Sequence, residues 1–169
     1  MNETPPDLAR LQDLLDRSYA VAGPHLREVI TPERRLTAEQ LAERLGGMCL
    51  LVLATVTADG RPISGPVDGF FYRGEWYFGS SHDSLRFRHL RRRPAVSATY
   101  LPGEEVSLTV HGRAYEVDAR RHDDGGFFEV LVNYYGSRFG GAEAFVDSAA
   151  YARIEAERMF TFHLDPAEG

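Results

Sequence analysis

The segment Gly79-Ser80-Ser81-His82-Asp83-Ser84-Leu85-Arg86-Phe87-Arg88-His89-Leu90-Arg91-Arg92-Arg93-Pro94 holds the residue types and spacing closest to a recognisable chemistry. A strand-like stretch runs into a small-polar turn, and the turn opens a helical pattern. A helix start offers unpaired backbone N–H groups and a partial positive charge, which attract phosphate. Ser80 and Ser84 can add hydroxyl donors, and Arg86 a bidentate charge. A capped surface helix with a solvated arginine face explains the same residues, because capping calls for Ser and Asp here in any case. The five arginines between Arg86 and Arg93 lack basic support elsewhere. In an acidic chain, solvation or pairing with the acidic excess is expected of them, not nucleic-acid binding.

The stretch Arg61-Pro62-Ile63-Ser64-Gly65-Pro66-Val67-Asp68-Gly69 is odd for a strand. Pro66 removes a ladder donor, and Gly65 and Gly69 leave no side chain to pack. A flat ligand lying against exposed backbone N–H groups is one reading; a bulged or sharply bent barrel strand is the other. The six histidines show no metal spacing with acidic or thiol partners. No Ser stands in a nucleophile-elbow context. Cys49 lies in the most apolar stretch and reads as a buried small hydrophobe. All nineteen positive charges are Arg, which excludes a Lys Schiff base and a Walker-type P-loop. With no acid, base or nucleophile set of its own, an enzyme of this sequence would rely on a bound cofactor.

These residues need elements to position them. The chain has 169 residues, 43% hydrophobic and 26% charged, with net charge −6, enough for one domain with a real core. It has no apolar run of spanning length and no signal-peptide pattern, so a cytoplasmic protein without membrane contact is expected. A first helix is expected over 4–22, capped by Thr4 with Pro5 and Asp7 in its first turn. A charged linker follows over 23–36. Thr37 and Gln40 form a capping box for a second helix, closed by Gly46-Gly47. Met48 to Val56 reads as a strand buried on both faces, returning through the turn Ala58-Asp59-Gly60 into 61–72. Further strands are expected at 76–80, 95–101 and 106–117, with a helix over 82–93. Two helices are expected after the turn at 123–126, the second over 142–155, and a closing strand over 158–164. Strands in hairpins with one inserted helix favour a small closed barrel over a parallel α/β sheet.

The order of these pieces resembles the pyridoxamine 5′-phosphate oxidase-like family of flavin-binding split β-barrels. The resemblance rests on Leu53-Ala54-Thr55-Val56, Asp59-Gly60-Arg61-Pro62, Trp76-Tyr77-Phe78-Gly79-Ser80, Ser84-Leu85-Arg86, Leu90-Arg91-Arg92-Arg93-Pro94 and Val110-His111-Gly112-Arg113-Ala114. It runs from about Leu45 to Val117, with a weaker match over 158–164. It implies a mainly β fold with flanking helices: a six-stranded antiparallel split barrel over 37–169, preceded by a helical extension and linker over 1–36. It also implies a homodimer with two flavin sites at the subunit interface. Carried over by position, Ser84 and Arg86 match a phosphate-binding Ser-x-Lys/Arg pair, and Ser80 a hydroxyl residue ending the third strand beside Phe78 and Gly79. Ile63, Ser64, Gly65, Pro66 and Val67 match the strand whose backbone faces the isoalloxazine ring. Ser107 stands where the oxidase has a ring-contacting Gln.

The departures are specific. Gly65 and Leu85 stand where true pyridoxamine phosphate oxidases carry arginines, Phe70 replaces a substrate-binding Lys, and the Arg/Trp-rich C-terminal segment is missing. The resemblance therefore implies an FMN-dependent oxidoreductase acting on some other small molecule. His89-Leu90-Arg91-Arg92-Arg93-Pro94 also resembles a run in the branch that binds the deazaflavin F420, which makes F420 the alternative cofactor. Haem-binding relatives exist, but no residue here selects them. A flavin carrier or sensor without turnover, and an apo barrel used only for association, are the rival classes.

Overall fold

Strand β1 (Met48–Val56) shows how the fold sorts its residues. Cys49, Leu51 and Leu53 are buried, whereas Leu50 and Val52 are 57% and 51% exposed. The apolar run predicts burial on both faces, and the structure corrects this. A closed barrel has one interior, so alternate residues of β1 stay outside it. A computed structural model describes residues 2–138 and 140–164. In it β1, β2 (Pro62–Tyr72), β3 (Glu75–Ser80), β4 (Ala95–Tyr100), β5 (Val106–Val117) and β6 (Ala150–His163) close an antiparallel barrel in the order β1-β2-β3-β6-β5-β4. This is the six-stranded barrel with flanking helices that the family resemblance implies, and the closed barrel that the strand pattern favours.

Two apolar clusters share the strands. Leu51, Val67, Phe71, Trp76, Phe78, Val110 and Ile154 fill the barrel. Phe70, Tyr72, Tyr77 and Tyr151 point outward and are covered by helices α5 (Gly126–Gly136) and α6 (Ala142–Asp147). The bulge falls in β6, whose extra residue Glu157 lies opposite the step from His111 to Gly112 in β5. An added Cβ on Gly112 would lie 2.1 Å from the Glu155 carbonyl oxygen, so only glycine allows that approach.

Helix α1 (Pro5–Ala20) has the expected Thr4 cap, completed into a capping box by Asp7. Its Leu11, Leu14, Leu15 and Tyr19 join the barrel cluster. It also covers an edge. β3 pairs with β6 only as far as Ile154, leaving the later N–H groups of β6 without a strand on that side. Met159 N–H donates to Ser18 Oγ at 2.9 Å and Thr161 N–H to the Tyr19 hydroxyl at 2.7 Å, while that hydroxyl donates to the Thr161 carbonyl. Side chains of α1 thus do the work of a missing strand.

Four expectations about element boundaries are corrected. The linker over 23–36 contains helix α2 (Pro24–Val29) and a 3₁₀ turn (Pro32–Arg34), each with proline in its first turn. Helix α3 (Ala38–Arg44) has the Thr37–Gln40 capping box. The helix expected over 142–155 stops at Asp147, and β6 begins at Ala150 instead of 158, because pairing with both β3 and β5 overrides the helical preference of its alanines. The helix expected over 82–93 is only α4 (Leu85–Leu90); the residue preceding Pro94 is pushed toward extended backbone.

Candidate functional site

β2 pairs with β1 from Pro62 to Phe70 in unbroken register, so it is not bulged. With β3 it pairs only from Asp68 onward, starting opposite Gly79. The edge of residues 62–67 that would face β3 is therefore open, and α4 lies across the opening. Pro66 sits on this edge, where its missing N–H removes no ladder bond. Its carbonyl accepts Arg86 Nη2–H at 3.0 Å. By the two-residue alternation of a strand, the Ser64 amide points the same way. Gly69 has a packing reason instead: an added Cβ would meet Leu51 at 2.5 Å and the Cys49 carbonyl at 2.9 Å.

Between this edge and α4 lies a groove of about 180 Å³, lined by Thr55, Ile63, Ser64, Gly65, Ser84, Leu85, Arg86 and His89. Arg86 lies over Gly65, where an added Cβ would come within 3.0 Å of its Nη2. It is half-buried, and burial pushes its guanidinium below the usual range. Among the described residues it forms no ion pair. A desolvated cation without a counter-charge suits an anionic ligand. Ser84 caps α4, its Oγ accepting from Phe87 N–H at 3.3 Å; its hydroxyl proton remains for a second partner. His89 Nδ1 and buried Thr55 Oγ1 are 2.9 Å apart.

The arginine run does not form one face. Arg91 donates Nε–H and Nη2–H to Glu116 at 2.6 and 3.1 Å, and Nη2–H also to the His82 carbonyl at 3.3 Å. It ties the loop before α4 to β5 and uses part of the acidic excess. Arg88, Arg92 and Arg93 form no ion pair among the described residues. With Ala58, Leu85, His89 and Arg91 they line a second groove of about 480 Å³, which shares Leu85 and His89 with the first.

Of the expected site residues, Ile63, Ser64, Gly65, Ser84 and Arg86 meet in one groove, with Pro66 joined through its carbonyl. Val67 and Phe78 point into the barrel core, Phe78 fully buried. Gly79 lies under the Tyr151 ring, and Ser80 ends β3 outside the groove lining. Ser107 is on β5 opposite Phe162, away from the groove within one subunit. Thr55, Leu85 and His89 line the groove although the sequence reading did not select them. The histidine at position 89, in the helix after Ser84, was the available signal. Cys49 is buried, and burial pushes its thiol up, consistent with an unactivated hydrophobe. Among the described residues no group of three or more His, Cys, Asp or Glu is placed to hold a metal ion, and no helix is long and apolar enough to cross a membrane.

Comparisons with known proteins bear on the whole arrangement. A search of curated proteins finds no match to the chain. Among solved structures, a conserved hypothetical protein from Mycobacterium tuberculosis is 18% identical with TM-score 0.62, covering 78% of this chain and 88% of its own. A FAD-binding protein from Mesorhizobium loti is 21% identical with TM-score 0.57, covering 78% and 98%. The haem storage protein HutZ from Vibrio cholerae is 22% identical with TM-score 0.55, covering 79% and 94%. These likenesses establish the fold. The sequence profile described as pyridoxamine 5′-phosphate oxidase matches residues 37–165, from the cap of α3 through the last strand. With the barrel, the open β2 edge and this match together, the chain belongs to the pyridoxamine 5′-phosphate oxidase family of split β-barrels.

Proposed function

We propose that the protein is an FMN-binding oxidoreductase acting on a small molecule other than pyridoxamine phosphate. The observation that carries this reading is Arg86, a half-buried guanidinium that forms no ion pair among the described residues, lying across an open strand edge. Its free donors and the Ser84 hydroxyl hold the cofactor phosphate, and the edge amide of Ser64 faces the ring system. Ser80, at the end of β3, and the cradle residues 63–67 complete the phosphate end and the ring end. FMN, when bound, supplies a hydride acceptor and donor. The chain contributes binding, orientation and exclusion of water by Ile63, Leu85 and the barrel end.

The cradle is open on one side, and exposed Val52, paired across the sheet with Pro66, lies on the neighbouring outer face. A homodimer that covers this face completes the site, and Ser107, which does not line the groove of its own subunit, approaches the cofactor from the partner. The second reading is F420. It is favoured by the adjoining groove, where Arg88, Arg92 and Arg93 form no ion pair among the described residues, which suits a cofactor with further anionic groups, and by an F420 reductase among the similar structures (20% identity, TM-score 0.51, covering 68% of this chain and 91% of its own).

The test is titration of the cofactor-free protein with FMN and, in parallel, F420, with the visible spectrum of freshly purified protein and light scattering alongside. A charge-assisted bond is worth roughly 1.5–3 kcal/mol. Arg86→Ala should therefore weaken binding about ten- to a hundredfold, while Arg92→Ala leaves FMN affinity unchanged. Equal affinities for the two variants would remove the phosphate assignment, and a monomer at working concentration the shared site. A carrier or sensor would bind FMN normally yet show no turnover with any reductant.

A further inference from the structure

Asp68 closes the inner end of the open edge: β2 and β3 begin to pair there, at Asp68 opposite Gly79. Its side chain is on the outer face with those of Ser64 and Pro66, since β2 alternates and Val67 and Phe71 point into the barrel. Across the sheet its neighbour is exposed Leu50. The carboxylate is half-buried. Oδ2 accepts the Tyr135 hydroxyl at 2.9 Å, and burial with this contact pushes the Tyr135 phenol up, so the phenol stays a neutral donor. Among the described residues Asp68 forms no ion pair. Fully buried Asp7, by contrast, is matched by two arginines.

The open edge thus carries a cation at Arg86 and, two residues beyond the carbonyl that Arg86 holds, an anion at Asp68, neither of them matched by a counter-charge among the described residues. A half-buried charge is retained at a cost unless a partner arrives. We propose that Asp68, held by Tyr135, binds the cationic group of the substrate, a protonated amine or an amidinium attached to an apolar body that rests against Leu50. The inference rests on the proposed cofactor site, because Asp68 adjoins the strand assigned to the ring. Anchoring of α5 through Tyr135 explains the hydrogen bond but not the missing counter-charge. Asp68→Asn separates the two roles: an amide carbonyl still accepts from Tyr135, while the negative charge is gone.

The probe is benzylamine, protonated at neutral pH, compared with benzyl alcohol and benzoate. Binding to the full-length protein is read by calorimetry, with and without FMN. Benzylamine should bind better than both analogues. Asp68→Asn should weaken it at least about tenfold and leave benzyl alcohol unaffected. An unchanged melting temperature for Asp68→Asn shows that α5 is still anchored. Equal benzylamine affinity in wild type and Asp68→Asn overturns the proposal, as does no preference for benzylamine over benzyl alcohol or no benzylamine binding to the wild type in either state. Loss of FMN binding with benzylamine still held through Asp68 would refute the flavin reading and not this one.

Discussion

Replacing Asp7 by Asn should undo the attachment of α1 at the turn between β2 and β3. The carboxylate is 1% exposed and accepts from the Thr4 backbone and hydroxyl at 2.8 and 2.7 Å, from Arg73 Nε–H at 2.6 Å, and from Arg10. Burial alone would raise its pKa; the bonds from Thr4 and Arg73 outweigh burial and bring it from the ordinary 3.8 to about 2. At 1.36 kcal/mol per pKa unit the displacement is worth at most about 2.5 kcal/mol at neutral pH. Arg10 is 68% and Arg73 35% exposed, and screening brings the figure to ~1–2 kcal/mol. At about 2–4 °C per kcal/mol for a chain of this size, Asp7→Asn should melt about 2–8 °C lower. The sign follows from a folded pKa below the unfolded one. The contribution is complete above about pH 4 and disappears as pH falls through about 2. Denaturant unfolding of wild type and variant at several pH values is the assay, read as the gap between them, so that other carboxylates cancel. A gap within the about ±0.5 kcal/mol of an ordinary surface change at pH 7, or one that does not narrow between pH 4 and 2, would refute the reasoning.

Two further outcomes follow from backbone contacts. Ser18→Ala and Tyr19→Phe should each cost about 1–3 kcal/mol, because Met159 N–H and Thr161 N–H lose their acceptors; hydrogen exchange should speed up at those two amides before the rest of β6. Gly69→Ala should cost about 1–3 kcal/mol or more by forcing Leu51 and the Cys49 carbonyl aside. Gly23→Ala, with open space around it, should be close to neutral in the same thermal melt.

Local features of the fold were legible in the sequence because their causes are local. Thr4 and Thr37 cap their helices through residues three positions away, and the buried-exposed alternation of β5 is written in consecutive residues. The hairpin at Asp59-Gly60 and the groove residues Ser84 and Arg86 were found the same way. What the sequence could not decide depended on partners distant along the chain. The start of β6 at Ala150 is decided by pairing with β3 and β5, which outweighs the helical preference of 142–155. Pro66 and Gly65 look alike as strand oddities in sequence. Only the ending of β3 pairing at Asp68 shows that they border an open edge and not a bulge. Charge divides in the same way. Nineteen arginines and the net charge can be counted from the sequence, but which of them are paired is a matter of tertiary distance. Arg91 meets Glu116 twenty-five residues away, while Arg86 and Asp68 form no ion pair among the described residues. Desolvation and ion pairing act through space, so the unmatched charges of the site exist only once the barrel has closed.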